Sequence, residues 1–348
     1  MHVNFGRKNT FDSTERLKEI VNLAKNLNIK VLEKRIVNLS KINPSTLIGK
    51  GTINQLRDSI FNSKINLLIF NCSLTPAQQK NLENSFQTKV TDRPGIIIEI
   101  FAKRAISNEG KLQVELAELI YRKSRLVRAW THLERQRGGT TFIGGPGELQ
   151  IELDRRLIQN KIERIKKRLS LVSKRRALQR QSRNKNEFKT FALVGYTNSG
   201  KTALFNRLTK SNKSSEDKLF VTLDTKISKV FLGNSIFAGL IDTVGFIADI
   251  PTQLIESFKA TLEEVNKADF LLNVVDINDH NYKSKIDITK NILKDVGVCQ
   301  EKISSMITVY NKIDVPNIEY VNKDNKTYVS ARTGQGLGML INILKNII

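Results

Sequence analysis

Phe191-Ala192-Leu193-Val194-Gly195-Tyr196-Thr197-Asn198-Ser199-Gly200-Lys201-Thr202 is the stretch from which the rest of the chain is read. Phe191–Val194 is a short apolar strand, Ala203 to Leu208 has helical patterning, and G-x-x-x-x-G-K-T lies between them. Glycines let such a loop curl, so that successive backbone N–H groups and the start of the helix face one point and cradle phosphate. Gly195 to Gly200 form that cradle, Lys201 reaches the β- and γ-phosphates, and the Thr202 hydroxyl is a ligand for Mg²⁺. The pattern specifies a nucleoside triphosphate but not its base. Its strand–loop–helix setting predicts an α/β domain with a mostly parallel sheet.

Moving outward, Asp242-Thr243-Val244-Gly245 follows the apolar segment Ile236–Ile241. In a phosphate-loop protein an Asp at a strand end supports Mg²⁺ through its water shell. A Gly three residues on lets its N–H approach the γ-phosphate. Asn311-Lys312-Ile313-Asp314 closes the strand Met306–Tyr310. The Asp314 carboxylate can accept two hydrogen bonds from guanine, at the ring N–H and the exocyclic amine. Adenine offers neither there, and a buried carboxylate left unpaired is a strong basis for rejection. Ser330-Ala331-Arg332, after Thr327 to Val329, completes the base site, with a backbone N–H able to reach the guanine oxygen. Each short motif alone is weak. In this order, each after a strand, they specify a guanine nucleotide.

Thr222, in Leu219-Phe220-Val221-Thr222-Leu223-Asp224, falls in the interval where a switch threonine binds Mg²⁺ only when the γ-phosphate is present; Thr225 competes for that role. Phe246 follows Gly245 at the position where Ras-like GTPases carry a water-orienting glutamine. An apolar ring cannot orient water, so intrinsic hydrolysis should be slow unless a partner or another residue positions the nucleophile.

The other half of the chain reads differently. Residues 13–105 alternate helical and strand patterns: helix at Thr14–Asn26, strand at Ile29–Val37, helix at Ile53–Phe61, strand at Ile65–Phe70. Thr75–Phe86 is helical, with Thr75-Pro76 as N-cap and first-turn proline, and a short strand at Val90–Asp92 and a helix at Arg93–Arg104 follow. This predicts a small α/β domain with a largely parallel sheet. Next, Leu112, Leu116, Leu119, Leu126, Trp130 and Leu133 follow coiled-coil-like spacing, with Lys123 at one polar seam position; Ile158, Ile162, Ile165, Leu169 and Val172 repeat it. Two such stripes predict an antiparallel two-helix arm. The segment joining them, Gly138 to Glu148, holds five glycines in residues 138–147 and is expected to be non-helical.

Charge points to a polyanionic partner. Lys plus Arg number 57 against 34 Asp plus Glu, a net of +23. From Arg155 to Lys189 there are fourteen Lys or Arg and two acids, where a solvated helix face normally mixes signs. The glycine-rich tip, flanked by Arg135, Arg137, Arg155 and Arg156, is suited to probing RNA. Cys72 and Cys299 lie far apart and suggest neither disulfide nor metal site. No apolar run approaches membrane-spanning length and MHVNFGRKNT lacks an export signal, so a cytoplasmic protein is expected.

These residues carry a family resemblance. The chain resembles HflX-type GTPases of the translation-factor-related P-loop class from Leu17 to Ile348. The resemblance includes Ile48-Gly49-Lys50-Gly51, Glu109 to Leu116, Trp130 to Gln136, Gly144-Gly145-Pro146-Gly147-Glu148, Asp154-Arg155-Arg156 and Asp242 to Ile247. Gly144 stands where the tip often carries Arg, Leu149 replaces a usual threonine and Thr225 a usual proline. The resemblance implies an N-terminal α/β domain (1–105), a helical hairpin with a glycine-rich tip (106–187) and a G domain (188–348). It implies that these parts together dock on the large ribosomal subunit, with rRNA contact expected, as the tip itself suggests, from Arg135, Arg137, Gly144, Gly145, Gly147, Arg155 and Arg156. Ribosome-stimulated GTP hydrolysis with Mg²⁺ would then serve ribosome dissociation or rescue of stalled ribosomes, with no membrane and a monomer when free. Large-subunit assembly and GTP-gated RNA binding with incidental hydrolysis are the rival readings.

Overall fold

The computed structural model describes residues 1–5, 13–126, 146–184, 189–211, 220, 222, 226–249, 251, 254, 257–315 and 327–348; side chains are not described at 5, 146–151, 176–184 and 259–261. The chain divides into two compact units, 1–103 with 114–168, and 104–113 with 169–348.

The first unit opens with β1 (His2–Phe5), α1 (Ser13–Asn26), β2 (Ile36–Leu39) and α2 (Lys50–Asn62). It continues with β3 (Leu67–Phe70), α3 (Pro76–Phe86), β4 (Lys89–Asp92) and α4 (Arg93–Arg104). β1 pairs with β2, and β3 with β4, both parallel. Backbone bonds from the Met1 amine to Ile69 O and from Asn71 N–H to Met1 O join the two pairs edge to edge. Ile53, Leu56, Ile60, Phe70, Leu82 and Phe86 form the core beneath them. Thr75 caps α3 as its sequence predicts, in a reciprocal box: Gln78 N–H donates to Thr75 Oγ1 at 3.2 Å and Thr75 N–H to Gln78 Oε1 at 3.0 Å.

Two expectations are corrected. The strand expected over Ile29–Val37 is confined to Ile36–Leu39, because its partner β1 is only four residues long and is consumed by the register His2↔Ile36 to Phe5↔Leu39. The glycine-rich segment, expected to be wholly non-helical, is helical from Pro146. Pro146, Gly147 and Glu148 form the first turn of α6 (Pro146–Asn184), where proline's fixed φ and missing N–H cost nothing. The helix α5 (Asn108–Leu126) buries Val114, Leu116 and Ala117, and α6 buries Ile162, Ile165 and Leu169. At the polar seam position Lys123 Nζ donates to Gln159 Oε1 at 2.6 Å. Trp130, Leu133, Arg135, Arg137, Gly144 and Gly145 lie outside the described residues.

In the second unit β5 (Thr190–Val194) leads into α7 (Lys201–Thr209), followed by β6 (Lys226–Gly233) and β7 (Ile236–Asp242). Then come α8 (Lys259–Lys267), β8 (Phe270–Asp276), α9 (Tyr282–Asp295) and α10 (Gln300–Ser304). β9 (Ile307–Asn311), β10 (Thr327–Tyr328) and α11 (Leu337–Ile347) finish it. The six strands run in the order β10-β9-β8-β5-β7-β6, parallel except for β6, which is antiparallel to β7. Phe191, Leu193, Leu240, Leu272 and Val274 are fully or almost fully buried, since central parallel strands bury both faces and read as continuous apolar runs. One consequence governs function: parallel strands bring the loops after β5, β7, β9 and β10 to the same edge of the sheet.

Candidate nucleotide-binding site

The loop after β5 needs its glycines for different reasons. Gly195 has φ +137°, and a Cβ there would lie 2.4 Å from Val274 O. Gly200 has φ +91°, and its Cβ would lie 2.1 Å from the Asn311 amide nitrogen. Asn198 takes the left-handed conformation, at φ 61°, which Asn tolerates better than most residues. The loop thus curls tightly against β8 and β9 before α7 begins at Lys201.

Lys201 is 5% exposed, and its Nζ donates to Gly195 O at 3.0 Å and Tyr196 O at 2.8 Å. Burial pulls its pKa down from 10.5 to about 8, and the nearby Asp242 carboxylate opposes that shift. An ammonium held this way is poised to exchange backbone carbonyls for stronger anionic acceptors.

Thr202 Oγ1 lies 2.7 Å from Thr222 Oγ1, and Thr222 Oγ1 donates to Asp242 Oδ2 at 2.9 Å. The sequence interval that nominated Thr222 thus leads to a residue between the helix-initial threonine and the β7 aspartate. Two hydroxyls and a carboxylate are hard oxygen donors, the chemistry that suits Mg²⁺. Thr225, the competing threonine, and Val221 lie outside the described residues. Phe220 is 3% exposed with φ 56°.

The loop after β7 lies against the phosphate loop. Thr197 N–H donates to Phe246 O at 2.7 Å, and Phe246 N–H to Gly195 O at 3.0 Å, a parallel bridge. Thr243 is buried and its hydroxyl donates to Leu193 O; Val244 and Phe246 are buried too.

At the base side, Asn311 spans two loops. Its Nδ2 donates to Ser199 O at 2.9 Å, and its Oδ1 accepts from Ala331 N–H at 2.9 Å. Asp314 accepts from Ser330 Oγ at 2.6 Å, which fixes the carboxylate's orientation. Lys312, at φ 70°, pairs with Asp276 at 2.8 Å. Arg332 is exposed. Sequence reasoning missed Asn278, whose Nδ2 donates to Lys312 O at 2.7 Å and steadies the motif from the loop after β8. A lone Asn in a loop carries no signal that could have found it. Along α6, Gly147 lies in the first turn; Arg155 and Arg156 are exposed, and Arg156 pairs with Glu152 at 2.7 Å.

Known proteins match this chain along nearly its whole length. Residues 14–102 match the family described as GTP-binding GTPase N-terminal, residues 104–183 the GTP-binding GTPase Middle Region, and residues 190–312 the 50S ribosome-binding GTPase. A GTPase HflX of Magnetococcus marinus is 45% identical over 348 residues, covering 98% of this chain and 80% of its own. That of Escherichia coli is 40% identical over 337 residues, covering 95% and 78%. Among solved structures, a GTP-binding protein from the hyperthermophilic archaeon Sulfolobus solfataricus in complex with GDP is 23% identical. It covers 99% of this chain and 97% of that one, with a TM-score of 0.47.

Proposed function

The chain belongs to the HflX family of GTPases and is an enzyme that hydrolyses GTP; from that premise we propose that it is ribosome-associated. In this reading its GTP state docks on the large ribosomal subunit, and hydrolysis releases it, which dissociates ribosomes or rescues stalled ones. The observation that carries the nucleotide half is the Asn311 bridge between Ser199 and Ala331, with Asp314 oriented by Ser330 in the same loop pair. The ribosomal half is supported by the net charge of +23, the exposed Arg155 and Arg156, and the description of the family matched by residues 190–312.

The backbone N–H groups of residues 195–202 hold the α- and β-phosphates, and Lys201 turns its ammonium from Gly195 O and Tyr196 O to the β- and γ-oxygens. Gly245 offers its N–H to the γ-phosphate, and Asp314 accepts from guanine. Thr202, Thr222 and Asp242 would hold Mg²⁺, which would neutralise charge on the phosphate oxygens. Thr243, Val244 and Phe220, all buried, shape the walls. Phe246 is buried and cannot orient water, so basal turnover is slow and the docked subunit completes water positioning. The three-part division at residues 105 and 187, the cytoplasmic location, the monomeric free state and rRNA contact by the tip belong to the same reading.

Turnover measured with and without purified large subunits tests it. Stimulation on the order of 10²-fold or more is expected if docking supplies positioned groups absent from the isolated site; no stimulation sinks the ribosomal half. Sedimentation then separates the rivals, since a dissociating factor converts whole ribosomes to subunits whereas an assembly factor travels with precursors.

A further inference from the structure

Tyr196 does more than occupy the first variable position of the phosphate loop. Its ring is almost buried, its hydroxyl accepts the Ala248 N–H at 3.0 Å, and Lys285 Nζ sits 4.8 Å from the ring centroid. The contact reaches across 52 positions of sequence, from the phosphate loop to the segment after Gly245. With the two backbone bonds between Thr197, Gly195 and Phe246, it pins residues 245–248 down as a strap over the loop.

The strap lies very close. A Cβ built on Gly245 would be 2.9 Å from Thr197 Cα and 3.1 Å from Lys201 Nζ. A phosphoryl group that is to touch both the Lys201 ammonium and the Gly245 N–H must enter between them, so the strap has to give way as the ammonium turns. GDP, which lacks that group, makes no such demand. Phe246, Ile247 and Ala248 are 2%, 1% and 7% exposed, so lifting also disturbs packed apolar side chains.

We propose that Tyr196 is a positioning residue whose hydroxyl latches the 245–248 strap over the γ-phosphate position, biasing the protein toward GDP until the latch opens. The proposal rests on the reading that Gly245 meets the γ-phosphate of bound GTP. The backbone bridge between residues 195–197 and 246 involves no side chain at position 196. The bond to Ala248 requires a hydroxyl at the end of a long side chain. Phenylalanine there would keep the ring and its place beside Lys285 while removing the hydroxyl that forms the latch.

The test is the ratio of two affinities, measured on the full chain with a fluorescent GDP and a fluorescent non-hydrolysable GTP analogue. In Tyr196→Phe the preference for the GTP analogue over GDP should rise about two- to tenfold, the size expected for one hydrogen bond that only GTP must break. Ala248→Pro removes the donor from the other side and should move the ratio the same way. Thermal melts of both variants identify any general loss of fold, which would weaken both nucleotides together and leave their ratio alone. An unchanged ratio in both variants, or a shift toward GDP, overturns the latch. If the unsubstituted protein binds neither guanine nucleotide, the nucleotide-site reading falls first and the latch with it.

Discussion

Guanine differs from the other bases at one edge, where a ring N–H and an amine point the same way, and only a paired acceptor satisfies both. In the proposed base site Asp314 is that acceptor, its carboxylate oriented by the hydroxyl of Ser330 at 2.6 Å. Asp314→Asn replaces one acceptor oxygen by a donor that would face the guanine amine. Affinity for guanine nucleotides should fall by about tenfold or more, since a hydrogen bond to a charged group contributes roughly 1.5–3 kcal/mol. Xanthine, which presents a carbonyl in place of the amine, should gain over guanine. Competition binding with GDP and XDP reads this directly, and retained guanine preference would remove Asp314 from the base site. At this scale the sequence was informative because each motif is a contiguous word after a strand. It could not reveal pairings between distant words: Tyr196 with Ala248, Asn278 with Lys312 and Asn311 with Ala331 emerge only once the sheet aligns its loops.

Elements in the first unit are held together by a buried carboxylate. Asp92, at the end of β4, is 1% exposed and accepts from Leu74 N–H at 3.1 Å, Gly95 N–H at 3.0 Å, Tyr121 Oη at 2.6 Å and Arg125 Nη2 at 2.7 Å. It thereby ties β4 and the start of α4 to α5. Burial and the neighbouring carboxylate push the Tyr121 hydroxyl's pKa far up, so it stays a donor at any working pH. Asp92→Ala takes the charge partner from Arg125 and strands a hydroxyl and two N–H groups, and should destabilise this unit by about 3–5 kcal/mol, the usual cost of breaking a buried ion pair. Because two units need not unfold in one step, the measurement is amide hydrogen exchange. Faster exchange is expected across α3, α4 and the second half of α5, with 189–211 unaffected; uniform acceleration would contradict a local role. Elements here were less legible than in the second unit. Thr75-Pro76 announced its helix because capping is local chemistry. β1 was missed and β2 overextended because four-residue strands draw their limits from a partner, not from their own pattern.

Charge acts on the whole molecule. A net of +23 spread evenly would attract any polyanion weakly, but residues 155–189 concentrate fourteen basic side chains against two acids. Of these, Arg155, Arg156, Lys161, Arg164, Lys166, Lys167 and Arg168 are exposed on α6. Ile162, Ile165 and Leu169 form one narrow buried stripe, and the cations occupy the exposed remainder of the helix surface. If that face meets rRNA, each cation that neutralises a phosphate releases counterions, and docking weakens linearly with the logarithm of salt concentration. Replacing both Arg155 and Arg156 by Gln should lower the magnitude of that slope by roughly one to two, about one per lost phosphate contact. The Arg156–Glu152 pair is solvent-exposed and contributes little stability, so the same change should leave the melting temperature nearly where it was. Cosedimentation with large subunits over a series of potassium concentrations measures the slope. An unaltered slope with weakened docking would mean that these arginines meet something other than phosphate, and an unaltered slope with unaltered docking would move the RNA-binding face elsewhere.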